Sequence, residues 1–164
     1  MSFAAGDVPT ADQLNDKIVI AKASSQIVSN STTLVNDAEI TTAVSANATY
    51  SFQLGLLWTS NSTADIKLGF TFPTGAICNW GAIRLDSAAG GLTGSADFGA
   101  YAPATSGSST VAAGGTGLAQ TSLVIGSLVV GSTAGSLTLQ WAQNTAAVVN
   151  TTVYAGTWLQ LIRQ

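Results

Sequence analysis

From Tyr50 to Thr59 the chain alternates with a period of two: Tyr50, Phe52, Leu54, Leu56 and Trp58 fall on one side, Ser51, Gln53, Gly55, Leu57 and Thr59 on the other. Alternation of this kind marks a strand with one face in a core. Ser60 to Thr63 supplies turn residues, after which Ile66, Leu68, Phe70 and Phe72 alternate with Asp65, Lys67, Gly69 and Thr71. The two runs are expected to form a hairpin that ends at Pro73 and Gly75. The period returns at Thr121 to Val130, at Ser136 to Ala142, where Leu137, Leu139 and Trp141 share a side, and at Thr151 to Ile162. In this last segment Val153 and Ala155 alternate up to Gly156, after which Trp158, Leu159, Leu161 and Ile162 crowd both sides. Gly156 is expected to bulge the strand, and apolar residues on both sides imply that it is covered twice.

The first 22 residues follow another pattern. Thr10 and Gln13 have the spacing of a capping box with Pro9 just outside it, which predicts a short helix over about Ala11 to Lys17. Two turns of helix do not hold in water alone, so residues 1–22 are expected to form a docking arm on a β domain at 23–164. Residues 87–117 are dominated by Gly, Ala, Ser and Thr, with Leu92, Phe98, Tyr101 and Val111 as isolated anchors. They are read as a long surface excursion with room for a short strand, the least regular part of the domain. About eight short strands joined by turns predict an all-β fold, a β-sandwich with jelly-roll topology preferred.

Composition sharpens this picture. A chain of 164 residues suits one domain and buries roughly 70% of the surface its unfolded form exposes. Charged residues make up 8%, against about 25% in ordinary soluble domains, and none occurs from Phe98 to Ile162. A half of the chain without charge that still alternates apolar residues with Ser, Thr and Gln suits a sheet that meets copies of itself, which points to an assembly protein. The net charge of −3 offers no basic patch for nucleic acid. No stretch of some 18 consecutive apolar residues suggests a membrane helix. Asp7, Asp12 and Asp16 stand where a signal peptide places basic residues, so synthesis in the cytoplasm is expected. The four Asn-x-Ser/Thr triplets at Asn30, Asn47, Asn61 and Asn150 are then chance products of composition, and Cys78, the only cysteine, reads as a small buried apolar residue.

Candidate chemistry is sparse. Without histidine the many Ser and Thr have no evident activating base, and Gly131 to Gly135 has Thr133 where a nucleophile elbow needs Ser. Asp37 and Glu39, two apart on a strand, point the same way and raise a weak Ca²⁺ site, against the plainer reading of a solvated turn before a strand at Ile40 to Val44. Zinc lacks ligands, and Gly114 to Gly117 lacks the Lys-Ser/Thr of a phosphate loop, leaving a flexible turn. No catalytic residue, metal or cofactor is expected. Of the four tryptophans, Trp58 and Trp141 are in phase with core faces, whereas Trp80 and Trp158 are candidates for a subunit contact or a ligand.

The opening Phe3-Ala4-Ala5-Gly6-Asp7-Val8-Pro9-Thr10-Ala11-Asp12-Gln13-Leu14-Asn15 resembles the start of tailed-bacteriophage virion proteins. The runs Ala48 to Phe52, Ala64 to Phe70 and Phe72 to Ala76 resemble their β domain, and Tyr154 to Leu159 is similar to the last strand of tumour-necrosis-factor-like trimeric jelly rolls. The resemblance implies a non-enzymatic virion component, a homotrimer with the major capsid protein or tail proteins as partners. It is either a capsid decoration protein, favoured by the small size of the chain, or part of a tail fibre or tip. The attachment residues would be Phe3, Val8 and Leu14. In a trimer the charge-free C-terminal strands face the axis, with Trp141, Tyr154, Trp158 and Leu159 expected there. A receptor- or glycan-binding variant would use the loop around Trp80 and Tyr101.

Overall fold

The computed structural model describes residues 17–85, 102–104 and 111–164. Among them are twelve strands and no helix: β1 (Lys17–Ala21), β2 (Gln26–Val28), β3 (Val35–Val44), β4 (Thr49–Thr59), β5 (Ile66–Thr71), β6 (Ile77–Leu85), β7 (Ala102–Ala104), β8 (Val111–Ala113), β9 (Ala119–Val129), β10 (Gly135–Gln143), β11 (Thr151–Val153) and β12 (Trp158–Arg163). They form two antiparallel sheets packed as a β-sandwich. The larger runs β1-β12-β4-β9-β6-β7, with β11 joining β2 to β4, and the smaller runs β3-β10-β5-β8. The described residues are therefore all-β, as the period predicts.

The core is made by the inward positions of both sheets. Tyr50, Phe52, Leu54, Leu56 and Trp58 of β4 are all buried, as are Ile66, Leu68 and Phe70 of β5 and Leu137, Leu139 and Trp141 of β10. At its centre Phe70 reaches across from the smaller sheet and meets two aromatic rings of the larger one edge-on. Its centroid is 5.3 Å from Phe52 and 5.1 Å from Trp80, the geometry that sets a positive ring edge against a negative face. Phe52 and Trp80 both pair with Gly126, whose missing side chain leaves room for the Phe52 ring: a Cβ there would lie 2.6 Å from the Asn79 carbonyl oxygen and run into that ring.

Three expectations change, and the excursion gains definition. Lys17 opens β1, at the edge of the larger sheet, so a helix does not extend to it and residues 17–22 belong to the sandwich; residues 1–16, with Phe3, Val8 and Leu14, lie outside the described residues. β4 and β5 do not pair as a hairpin: β4 sits in the larger sheet and β5 in the smaller. Alternation reveals which side of a strand meets the core, and two strands facing one core from opposite sheets carry the same pattern. The segment 151–162 is two strands, not one bulged strand. Tyr154 N donates to Leu57 O, and Gly156, at φ +88°, turns the chain between β11 and β12. The excursion contains β7 and β8, while 86–101 and 105–110 lie outside the described residues.

Several turns explain residues that composition alone leaves idle. Asn30 and Asn47 hold positive φ, a conformation that asparagine tolerates better than most, and Asn61 Oδ1 accepts from Thr63 N and Ala64 N. Asp65, also at positive φ, accepts from Gly115 N at 2.8 Å, and Gly117 N donates to Ser60 O. The Gly114–Gly117 run is thus tied to the β4–β5 turn. A Cβ on Gly115 would collide with the carbonyls of Ser60 and Asn61.

Candidate functional site

The outward positions of the larger sheet line up in rows across its strands. One row is Val19, Gln160, Gln53, Ile125 and Gly81; the next is Lys17, Ile162, Ser51, Ser127 and Asn79. Among the described residues eight large apolar side chains are exposed, and six of them (Val19, Ile27, Ile77, Ile125, Val129 and Ile162) stand at outward positions of this sheet. Lys17, at the sheet edge, is the only charged residue in these two rows. Between β4, β6, β9 and β12 the face is hollowed into a groove of about 630 Å³ whose walls include Ser51, Gln53, Ile125, Ser127, Gln160 and Ile162.

The outer face of the smaller sheet is built differently. Thr41 and Thr138 share a hydroxyl hydrogen bond at 2.7 Å, Gln140 Nε2 donates to Asn36 Oδ1 at 2.9 Å, and Lys67 Nζ donates to Thr32 O. Its polar groups bond one another, and none of the eight exposed apolar side chains lies on its strands. A sheet face suited to water reads in this way, and the larger sheet does not.

A second cluster sits inside the sandwich. Between the Thr41–Thr138 and Asn36–Gln140 pairs, β3 sets residues 37–40 against Leu139 alone. The bulge releases backbone N–H groups from the ladder. Asp37 recovers two of them: its Oδ1 accepts from Glu39 N and Ile40 N at 3.0 Å each. Oδ1 also accepts from Lys22 Nζ at 2.9 Å, and Oδ2 accepts from Trp141 Nε1 at 3.3 Å. The Lys22 and Asp37 side chains are 1% and 0% exposed. Glu39 accepts from Ala23 N and Ser24 N, with its Oε1 3.9 Å from Lys22 Nζ. Asp37 is therefore neither a solvated turn residue nor a free Ca²⁺ ligand, since donors from this chain occupy its oxygens.

The predicted site residues separate into three groups. Trp158 and Tyr154 are partly exposed, and Trp158 lies on the outward face of β12 across Gly55. Trp141 and Leu159, at 0% exposure, are core residues out of reach of any partner while the sandwich is intact, and Trp80, at 2%, is a core residue that also borders the groove. Tyr101 lies outside the described residues. Sequence reasoning missed Val19 and Ile125, while Ile162 stood in the segment it expected to be covered twice. The signal was present in Leu123-Val124-Ile125, where an unbroken apolar run means both faces of the strand are apolar. Cys78 is buried on β6, and burial pushes its thiol up from 9.0 to about 12. No helix among the described residues is long and apolar enough to cross a membrane.

No protein-family model matches the chain, and no curated protein matches it. Two solved structures of infectious bursal disease virus, of the Gx and Gt strains, align with it at 12% and 15% identity over 91% and 100% of its length. The chain spans 39% and 45% of the length of those viral chains, and at TM-scores of 0.20 and 0.19 neither defines a shared fold.

Proposed function

We propose that this chain is a non-enzymatic structural protein of a bacteriophage virion, a jelly-roll subunit that assembles as a homotrimer and decorates the capsid. In this reading the N-terminal segment with Phe3, Val8 and Leu14 docks on the major capsid protein. The strand order supports the topology: the runs β1-β12-β4-β9 and β3-β10-β5-β8, filled by a chain that passes repeatedly between sheets, follow the double Greek key of a jelly roll.

The observation that carries the reading is the contrast between the two outer faces. A soluble monomer gains nothing from gathering Val19, Ile125, Ile162 and Trp158 on one nearly charge-free sheet face, whereas a closed assembly buries them against its other copies. This moves the expected subunit contact from Trp141 and Leu159 to the outward side of β1, β12, β4 and β9, and keeps Trp158 in it.

A tail fibre or tail-tip protein that binds a host glycan is the second reading. The groove favours it, because uncharged amides and hydroxyls beside apolar side chains suit a neutral saccharide. Immunogold labelling of source virions tests the choice: gold over the head is expected, and gold confined to the tail replaces decoration with the fibre reading.

A further inference from the structure

We infer that Lys22 and Asp37 condense into an intramolecular amide, with Glu39 as the proton carrier. The amine and the carboxyl touch at 2.9 Å in a site almost closed to water. Holding two reacting groups in contact replaces a bimolecular condensation by a unimolecular one, an advantage worth effective molarities on the order of 10⁵ to 10⁸ M. Two buried charges are costly even when paired, and the amide removes both.

The surroundings are arranged for this step. Glu39 N and Ile40 N, both donating to Oδ1, stand where negative charge collects when Nζ attacks Cγ, as the donors of an oxyanion hole do. Trp141 Nε1 steadies Oδ2. The Lys22 backbone is fixed by hydrogen bonds from its N–H to Thr157 O at 2.7 Å and from Gly156 N–H to its carbonyl at 2.8 Å. Glu39, 3.9 Å from Nζ and 29% exposed, is near enough to exchange protons with it.

The step balances without a further reactant. Glu39 takes one proton from the ammonium group, Nζ attacks Cγ to form the N–C bond, and one Cγ–O bond breaks. The proton held by Glu39 and a second from Nζ leave with that oxygen as water, so ammonium and carboxylate become amide plus water and Glu39 is restored. The bond ties Lys22, one residue past β1 of the larger sheet, to β3 in the smaller one, a covalent brace across the sandwich.

High-resolution mass spectrometry of the denatured full chain tests this. The wild-type chain is expected to be lighter than its sequence by one water, to resist trypsin after Lys22, and to give a branched peptide that contains Lys22 and Asp37. Glu39→Gln is expected to have the full mass and to be cut after Lys22, while keeping a β-sheet circular dichroism spectrum. A wild-type chain of full mass that releases residues 18–22 to trypsin overturns the inference, as does a water loss mapped to any other pair. A bond that forms undiminished in Glu39→Gln overturns the role of Glu39.

Discussion

The indole of Trp158, on β12, lies across Gly55, the residue directly opposite on β4. A Cβ at position 55 would stand inside the space of the ring, so glycine is what lets this large apolar side chain lie flat on the outward face of the sheet. Gly55→Ala is expected to lift the ring, shift tryptophan fluorescence and weaken self-association by roughly 2 kcal/mol, as removal of a buried aromatic anchor does. Sedimentation equilibrium against the wild type measures it.

Gly126 serves the inner face as Gly55 serves the outer. Gly126→Ala drives a Cβ into the Phe52 ring and the Asn79 carbonyl and disturbs the edge-on contact of Phe52 with Phe70, an overpacking expected to cost about 1–3 kcal/mol. The check is denaturant unfolding, with a lowered midpoint and an unchanged slope.

Removing Asp37 strands Lys22 in the core and also frees the N–H groups of Glu39 and Ile40. Asp37→Ala is expected to destabilise the fold by roughly 3–5 kcal/mol. The double change Lys22→Met with Asp37→Leu is expected to recover only the part due to the stranded ammonium, because the N–H groups of Glu39, Ile40 and Trp141 still lack their acceptor, and thermal unfolding of the two variants compares them.

Cys78 links stability to alkaline pH. Burial disfavours the thiolate, so the folded chain holds its proton where the unfolded one releases it. The thiol's contribution is complete below its ordinary value of 9.0 and is lost as pH rises from there through about 12. Cys78→Ala is expected to flatten the fall in stability across that window. A thiol-directed disulfide reagent is expected to leave native Cys78 unmodified and to react once the chain unfolds.

The inward faces of β4, β5 and β10 were legible because each alternates over a long enough run to separate core from surface. Sheet membership was not: β4 and β5 carry one pattern because they face one core from opposite sides. Trp80 was illegible because Ile77, Cys78, Trp80, Ala82 and Ile83 place apolar residues on both faces of β6. The Lys22–Asp37 pair escaped for another reason. A bulge in β3 decides where Asp37 points, and no local spacing reports a bulge that is set by pairing with β10, a hundred residues away in the chain.

Light scattering of the full chain, wild type beside Ile125→Glu, decides whether the outward face of the larger sheet is the subunit contact. Ile125 stands mid-sheet on the outward face and 47% exposed, so a carboxylate there does not disturb the core but places an unpaired charge in the subunit contact. A wild-type trimer at micromolar concentration and a folded Ile125→Glu monomer are expected. A folded wild-type monomer, or a trimer indifferent to the substitution, would contradict that contact.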